Sequence, residues 1–433
     1  MIRCLYPVLL ACVMLCGAAR AVAAEGNPNA RTDRLSGLDV EALRRLEPFT
    51  TAGPVALVEF ADTDADELPA INVLSRIHAP INTVLDVVAS PTAYPKFLRT
   101  LDRVKAVSKH EGTLVYDWAW DLSVFRLSGR NIMHVYQAPR GSERRGHRIT
   151  IDSVAGDFGA GRMSIRLLPR GEQDTLMVLS VRLDLRESNY VARQAAKAAR
   201  SVNRSANMAL AYAMTFGFAH ESHKRSNVIL RSEPPAPLHK PEIPEAVIFP
   251  LLMRGDIVFL AMNGESLVQT AIYGRINLPR DEVRSILLNA QDFGAALVPG
   301  SEADVVTQDG QTTTFDWDID IPLLGVSGRM EMMAGDPVVS VAATQGAMEG
   351  GLWRFETRAI GPQVTLVSSW AQFDIAKTNF LVRAIVNTDP YLGHGITAAS
   401  QVMLVRAIRT RAQERAMERQ RAQAQAANAK QSQ

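Results

Sequence analysis

Two stretches of the chain have nearly the same sequence: YDWAWDLSVFRLSGRNIM at residues 116–133 and FDWDIDIPLLGVSGRMEM at residues 315–332. They lie 199 positions apart, and seven of their 18 paired positions are identical. The identical pairs are Asp117/Asp316, Trp118/Trp317, Asp121/Asp320, Ser128/Ser327, Gly129/Gly328, Arg130/Arg329 and Met133/Met332. A rare Asp-Trp pair followed at one fixed distance by Ser-Gly-Arg indicates that the chain contains two copies of one domain.

The repeat extends on both sides of these stretches. Before them the offset of 199 also relates Pro80 to Pro279. After them the offset becomes 190, as in the pairs Gly161/Gly351, Thr175/Thr365, Asn189/Asn379 and Arg193/Arg383. A longer hairpin turn in the first copy, APRGSERRGHR, explains the change, because its glycines and charged residues are typical of a loop.

Length and composition indicate two globular domains with separate cores. The chain has 433 residues, 47% hydrophobic and 21% charged, which suits two domains better than one. We predict a signal peptide at 1–24, a polar leader at 25–37, a first domain at 38–225, a Pro-rich linker at 226–246, a second domain at 247–411 and a Gln/Ala/Arg-rich tail at 412–433.

The first 24 residues have the features of a secretory signal. A basic start is followed by a short apolar run and by Ala21-Val22-Ala23, which matches an A-x-A cleavage site. A buried N-terminal helix is the alternative, and a lipoprotein anchor at Cys12 is a weaker one. All three cysteines lie in this segment, so the remaining chain has no thiol chemistry. We therefore expect export, most simply to a periplasm.

Charge gives no reason to expect nucleic acid as a partner. Removal of Arg3 and Arg20 with the signal leaves a net charge near zero. Basic residues are nevertheless concentrated at 404–433 and in one helical stripe formed by Arg193, Lys197, Arg200 and Arg204. A basic amphipathic helix can contact an anionic membrane, although an ordinary solvated helix face is the alternative.

Apolar periodicity predicts the order of elements within each copy. Alternation with a period of two at 116–124 and 315–323 indicates strands with one buried face. RMSIRLLP, TLMVLSVRLDL, LWRFETRAI and VTLVSSWAQFDI alternate in the same way, and their short turns favour antiparallel pairing. A strand and a Pro-led helix precede them, and a long helix follows in each copy.

This order resembles the START-like (SRPBCC) superfamily of polyketide cyclases and coenzyme Q-binding START-like proteins. The segment IHAPINTVLDVVASPTAYPKFLRTLDRVKAV carries the resemblance, with a strand, a Pro-led helix and a Tyr-Pro-x-Phe turn. The second copy has Phe293-Gly294-Ala295-Ala296 at that turn. The resemblance implies an α+β fold of two tandem helix-grip domains, each a curved antiparallel sheet wrapped around a long C-terminal helix.

The resemblance also implies a hydrophobic ligand such as a lipid, quinone, sterol or polyketide-like molecule in a cavity. Large aromatic side chains on apolar faces suit such a lining, although ordinary core packing is the common alternative. The candidate ligand-binding residues are Tyr94, Tyr116, Trp118, Trp120, Arg130, Phe216, Phe315, Trp317, Arg329 and Trp370.

The two Gly-Arg pairs allow more than one interpretation. Gly129 and Gly328 interrupt strand patterns, which often marks a bulge or a close backbone approach. Arg130 and Arg329 could bind a polar headgroup, or each could form a structural ion pair with an aspartate such as Asp121 or Asp320.

We expect no metal, no cofactor and no catalytic residue. Asp316, Asp318 and Asp320 lie on one strand face rather than in a metal-binding loop, and His220 and His223 have no evident third ligand. The expected function is therefore an exported carrier of a hydrophobic ligand. The alternatives are an aromatase/cyclase-like enzyme, with Arg130, Asp121 or Tyr116 as its acid or base, and a non-binding structural module.

Overall fold

The computed structural model describes residues 38–60, 70–121, 126–136, 146–159, 161–183, 185, 200–234, 237–297, 301–319, 326–378 and 380–431. The predicted signal peptide and leader, as well as Arg193, Lys197 and Asp320, lie outside these ranges.

The strands are β1 Val55–Glu59, β2 Ile71–Ile77, β3 Leu101–His110, β4 Thr113–Asp121, β5 Arg126–Tyr136, β6 His147–Gly156, β7 Arg162–Gly171, β8 Asp174–Arg182, β9 Gly255–Asn263, β10 Ser266–Ile276, β11 Ser301–Asp309, β12 Thr312–Ile319, β13 Val326–Ala334, β14 Val338–Gly346, β15 Leu352–Gly361 and β16 Val364–Gln372. The helices are α1 Val40–Leu46, α2 Ile81–Val88, α3 Arg200–Arg225, α4 Glu245–Leu252, α5 Arg280–Leu288, α6 Ala290–Leu297, α7 Phe380–Thr388 and α8 Pro390–Gln431. Within the described ranges, no helix has an apolar stretch long enough to cross a bilayer.

The chain forms two compact units, and neither is a single continuous segment. The first contains the described residues before 236, together with 244–268 and 380–399. The second contains those within 236–243, 269–379 and 400–433. This division differs from the predicted 38–225 and 247–411. One reason is that β9, which follows the Pro-rich linker, pairs antiparallel with β1 from Val55↔Phe259 to Glu59↔Gly255.

Each unit contains the predicted antiparallel sheet. The strand order is β9-β1-β2-β8-β7-β6-β5-β4-β3 in the first unit and β10-β16-β15-β14-β13-β12-β11 in the second. Each unit adds a Pro-led helix and a long helix, so the predicted helix-grip order is confirmed. The same hydrogen bond joins the last strand of each repeat to the residue before the Pro-led helix. Thr175 of β8 donates to the carbonyl of Ala79 over 2.9 Å, and Thr365 of β16 donates to that of Leu278 over 2.7 Å.

Helix α3 packs against β2, β8 and α2 in the first unit. Its inner end is fixed by Asn207, whose side chain donates to the Leu183 carbonyl over 2.8 Å and accepts from the Leu183 amide over 2.6 Å. Gly217 lies against Leu98, where a Cβ would approach the Leu98 side chain to 2.3 Å. The glycine therefore lets the helix pack closely on the chain that leads into β3.

The helix that closes the second copy is interrupted, and its first part joins the first unit rather than the predicted second domain at 247–411. Asp389 ends α7, accepts from the Thr100 hydroxyl over 2.9 Å and caps α8 by accepting from the Tyr391 amide over 3.1 Å. Pro390 is favoured as the first residue of a new helix. Residues 380–399 consequently belong to the first unit.

The remainder of α8 packs in the second unit and continues to Gln431, through the segment predicted as a tail. Leu404, Ile408 and Ala412 form one stripe in the core of this unit. Basic residues of the same helix form ion pairs within the unit: Arg411 and Arg415 with Asp292, and Arg419 with Glu282. These pairs engage part of the basic surface from which membrane contact was predicted.

The far end of α3 depends on a neutral histidine. The amide of His78, just beyond β2, donates to Nε2 of the buried His223 over 3.0 Å. Burial first, and the charges of His78 and His220 second, lower the pKa of His223 to about 4. Protonation of Nε2 would remove the acceptor that the His78 amide uses.

We predict that acid destabilises the protein through His223. Because the folded-state pKa is below the usual value near 6.5, this stabilisation is complete above pH 6.5 and is lost as the pH falls toward 4. Between pH 7.5 and 4.5 the free energy of unfolding should fall by about 2 kcal/mol more in the wild type than in His223→Gln. Urea denaturation at several pH values measures this, with His110→Gln on the exposed end of β3 as control. An equal fall in all three proteins would contradict the prediction.

Candidate functional site

The repeated aspartate and arginine form the same ion pair in both units. Arg130 Nε donates to Asp117 Oδ1 over 2.7 Å, and Arg329 Nε donates to Asp316 Oδ1 over 2.7 Å. In each case the second nitrogen, Nη2, donates to the other carboxylate oxygen. These hydrogen bonds lower the pKa values of Asp117 and Asp316. The predicted structural ion pair is therefore present.

The partner aspartates differ from the two that were suggested. Asp117 stands directly opposite Arg130 in the β4–β5 register, and Asp121 instead lies 3.3 Å from Arg126. Because neighbouring residues of a strand alternate faces, both arginines point away from Trp118 and Trp317. The structure thus places Arg130 and Arg329 on the outer face of each sheet, apart from the buried aromatic residues.

On the inner face, a tryptophan lies across a glycine of the next strand in each unit. Trp118 stands opposite Gly129, and Trp317 stands opposite Gly328. A Cβ on Gly129 would approach the Trp118 ring to 2.7 Å, and one on Gly328 would approach Trp317 Nε1 to 3.1 Å. A bulge follows each glycine, after Arg130 in β5 and after Arg329 in β13. The predicted close approach and bulge are both confirmed.

The first unit buries a chain of polar groups beside this contact. Trp118 Nε1 donates to Asn131 Oδ1 over 3.0 Å, and Asn131 Nδ2 donates to the Tyr116 hydroxyl over 3.1 Å. Trp118 also stacks on Phe158, with ring centroids 4.3 Å apart. All of these side chains are buried. Asn131 therefore orients both the indole and the phenol.

A second buried phenol belongs to this site. Tyr94, in the 3₁₀ turn Pro91–Lys96, donates its hydroxyl to the Val88 carbonyl at the end of α2 and packs on Phe218 of α3. Burial raises the pKa of Tyr94, and the nearby Tyr116 raises it further. Burial likewise raises the pKa of Tyr116. Both phenols remain neutral hydrogen-bonding groups at physiological pH.

The second unit has apolar residues at the equivalent positions. Tyr94, Tyr116 and Asn131 correspond by the offset of 199 to Phe293, Phe315 and Met330, which all belong to the buried core of that unit. Trp317 is retained, but its buried Nε1 has no hydrogen-bond partner among the described residues. The backbone contact is thus repeated, whereas the polar chain is not.

Three other candidate residues are also buried, and two of them lie away from this site. Trp120 continues the inner face of β4. Phe216 lies on the side of α3 away from Phe218 and contacts Tyr391 and His394 instead. Trp370 lies on the opposite face of β16 from the core residues Val367 and Ala371. The structure therefore does not bring Phe216 or Trp370 to the aromatic groups that they were predicted to join.

Sequence reasoning missed Asn131 and Phe158. Asn131 carried a usable signal, because it is a polar residue at a buried position of the strand pattern and the other copy has Met330 there. Phe158 lies in the turn after β6, where the apolar period ends, so no pattern pointed to it. Among the described residues there is no cluster of three potential metal ligands.

Comparison with known proteins supports the START-like fold of the first copy. Residues 77–211 match the family described as "Polyketide cyclase / dehydrase and lipid transport". This segment runs from the last residue of β2 to the middle of α3, and the predicted START-like resemblance is therefore confirmed there. No curated protein matches the chain.

Three solved structures show a distant likeness. The di-domain ARO/CYC StfQ from the steffimycin biosynthetic pathway is 13% identical, with 80% of this chain and 99% of that chain covered and a TM-score of 0.28. Human STARD10 is 11% identical, with 48% and 84% covered and a TM-score of 0.32. TTHA0849 from Thermus thermophilus is 16% identical, with 36% and 99% covered and a TM-score of 0.30. These low scores establish no shared function.

We predict that Gly129→Ala destabilises the protein by about 1–3 kcal/mol, because the added methyl group would lie 2.6 Å from the Ala155 carbonyl oxygen and 2.7 Å from the Trp118 ring. Gly328→Ala should act in the same direction. Gly171→Ala is the matched control, since its Cβ would meet Asp174 at an ordinary 3.8 Å. Urea denaturation measures all three, and equal stability of Gly129→Ala and Gly171→Ala would contradict the prediction.

Proposed function

We propose that the chain is a carrier for a hydrophobic molecule bearing a hydroxyl or keto oxygen, and that the first unit holds it beside Tyr94 and Tyr116. The observation that supports this most directly is the buried chain Trp118–Asn131–Tyr116. The match of residues 77–211 to a family of polyketide cyclases, dehydrases and lipid-transport proteins supports a hydrophobic ligand in general.

The hydrogen bonds that Tyr94 and Tyr116 already make determine which polar group of a ligand they could bind. The Tyr116 hydroxyl accepts from Asn131, and its own proton has no acceptor among the described residues. The Tyr94 hydroxyl donates to Val88 and keeps lone pairs that can accept. One group that can donate and one that can accept therefore lie near each other in apolar surroundings, which complements a ligand hydroxyl.

The rest of the ligand would be bound by apolar contact. Burial of apolar surface contributes about 25 cal/mol per Å², so an enclosed sterol- or quinone-sized molecule needs few polar contacts. Phe158, Phe218 and Trp118 supply aromatic surface next to the polar chain.

The placement of acid and base candidates favours a carrier over an aromatase/cyclase-like enzyme. Asp121 and Arg130 are both exposed on the outer face, and Arg130 is paired with Asp117. Tyr116 has a raised pKa, which makes it a poor proton donor or base near neutral pH. A binding role uses these groups as hydrogen-bonding partners without requiring proton transfer.

Export to a periplasm is part of the proposal. It is supported by the basic start, the apolar run and Ala21-Val22-Ala23 in the first 24 residues, and by the confinement of all cysteines to that segment. A carrier in that compartment would shield its ligand from water between membranes.

We predict that Tyr116→Phe weakens binding of a hydroxylated ligand about 5- to 100-fold, because the change removes a buried donor to the ligand. Fluorescence titration with dehydroergosterol, together with ubiquinone and phosphatidylcholine as competitors, measures the effect. Native mass spectrometry and lipid extraction of the purified protein identify any molecule that it already carries.

Tyr273→Phe is the matched control, since it removes a buried phenol that donates to the Pro241 carbonyl in the second unit. Its affinity should equal that of the wild type. Two results would contradict the proposal. One is a wild-type protein that carries no molecule and binds no probe, and the other is a Tyr116→Phe variant that binds the probe as tightly as the wild type.

A further inference from the structure

We propose that the chain self-associates through two complementary sheet edges, with β3 of one copy adding to β11 of another. Both are edge strands, because among the described strands β3 pairs only with β4, and β11 pairs only with β12. Nearly all residues from Asp102 to His110 and from Glu302 to Asp309 are exposed. Bulges interrupt β3 on either side of Arg103–Ala106 and β11 after Val305, so regular pairing with another strand is open to the short segments Arg103–Ala106 and Ser301–Val305.

The two edges carry opposite charges at repeat-equivalent positions. Arg103 and Lys105 of β3 correspond by the offset of 199 to Glu302 and Asp304 of β11. Two residues after Lys105 and Asp304, each edge also has an exposed valine, and these two valines are equivalent in the repeat: Val107 at 47% and Val306 at 46% exposure. Divergence of the two copies has thus produced a basic edge and an acidic edge, each with an apolar side chain.

On the acidic edge, carboxylates stand opposite carboxylates across the β11–β12 pair. Glu302 stands opposite Asp318 and Asp304 opposite Asp316, and like charges directly across a strand pair are destabilising. These carboxylates line a groove of about 460 Å³, where Arg329 is the basic residue and is already paired with Asp316. In the first unit, by contrast, Lys105 stands opposite Asp117. A partner that brings cations to β11 would relieve the repulsion.

The geometry of the repeat determines how the edges would meet. β3 and β11 are equivalent edges of the repeated sheet. If they pair so that the outer faces of the two sheets lie on the same side, the two strands must run antiparallel. One register then places Arg103 opposite Asp304 and also Lys105 opposite Glu302. The same arrangement between two β3 edges, or between two β11 edges, sets like charges against each other, so the charges select the mixed pair.

Each chain has one basic and one acidic edge, so the contact is heterologous. Such contacts build rings if the rotation closes and open chains if it does not. The association should therefore increase with protein concentration and weaken at high ionic strength, because the edge charges are solvent-exposed.

Sedimentation velocity of the full chain tests this with two charge-reversal variants, R103E/K105E and E302K/D304K. The first has two acidic edges and the second has two basic edges, so each alone should associate at least about tenfold more weakly than the wild type. An equimolar mixture of the two should recover association, because every acidic edge then finds a basic one. K224E/R421E, which reverses two exposed charges on helices, should behave like the wild type.

Far-UV circular dichroism and thermal melting establish that each variant is folded before the comparison. A wild type that stays monomeric at every concentration would overturn the proposal. Association that is unaffected by both edge variants, or that the mixture fails to recover although both are folded, would overturn it equally.

Discussion

The contact between a tryptophan ring and the glycine beside it is the constraint on which each sheet depends. A Cβ on Gly129 or Gly328 would meet the indole of the neighbouring strand on one side and, at 2.6 Å, the carbonyl oxygen of Ala155 or Gln345 on the other. The contact fixes the register between the two strands. The register in turn brings Asp117 opposite Arg130 and Asp316 opposite Arg329 on the other face. One steric requirement thus explains why Asp-Trp and Ser-Gly-Arg recur at a constant distance.

With the backbone held in this way, the interior residues were free to diverge. Asn131 and Met330 occupy equivalent positions after equivalent bulges, yet one links an indole to a phenol and the other fills an apolar core. A buried polar group needs its partners, so Asn131, Tyr116 and Trp118 depend on one another. The second unit has only Trp317 of this set, and its indole nitrogen has no partner among the described residues.

The sequence was sufficient to predict those features that depend on local periodicity and on the repeat. Period-two alternation located the strands, Pro80 and Pro279 located the helices that follow, and the repeated glycines indicated the close approach. It could not indicate which aspartate pairs with Arg130, since that depends on the cross-strand register. It also could not place Phe216 or Trp370. Each lies in a helix or strand that is apolar on all sides, and such an element has no polar–apolar period that shows which way a given side chain points.

Chain order was a poor guide to which unit an element joins. β9 and α7 follow the linker and the second sheet respectively, but long-range hydrogen bonds to β1 and to Thr100 connect them to the first unit. Periodicity describes which face of an element is buried and not what covers it. The two copies therefore share seven strands and the register at the repeated tryptophan and glycine, whereas the interior polar groups, the edge charges and the covering helices differ. These are the features in which two copies of one fold can acquire different roles.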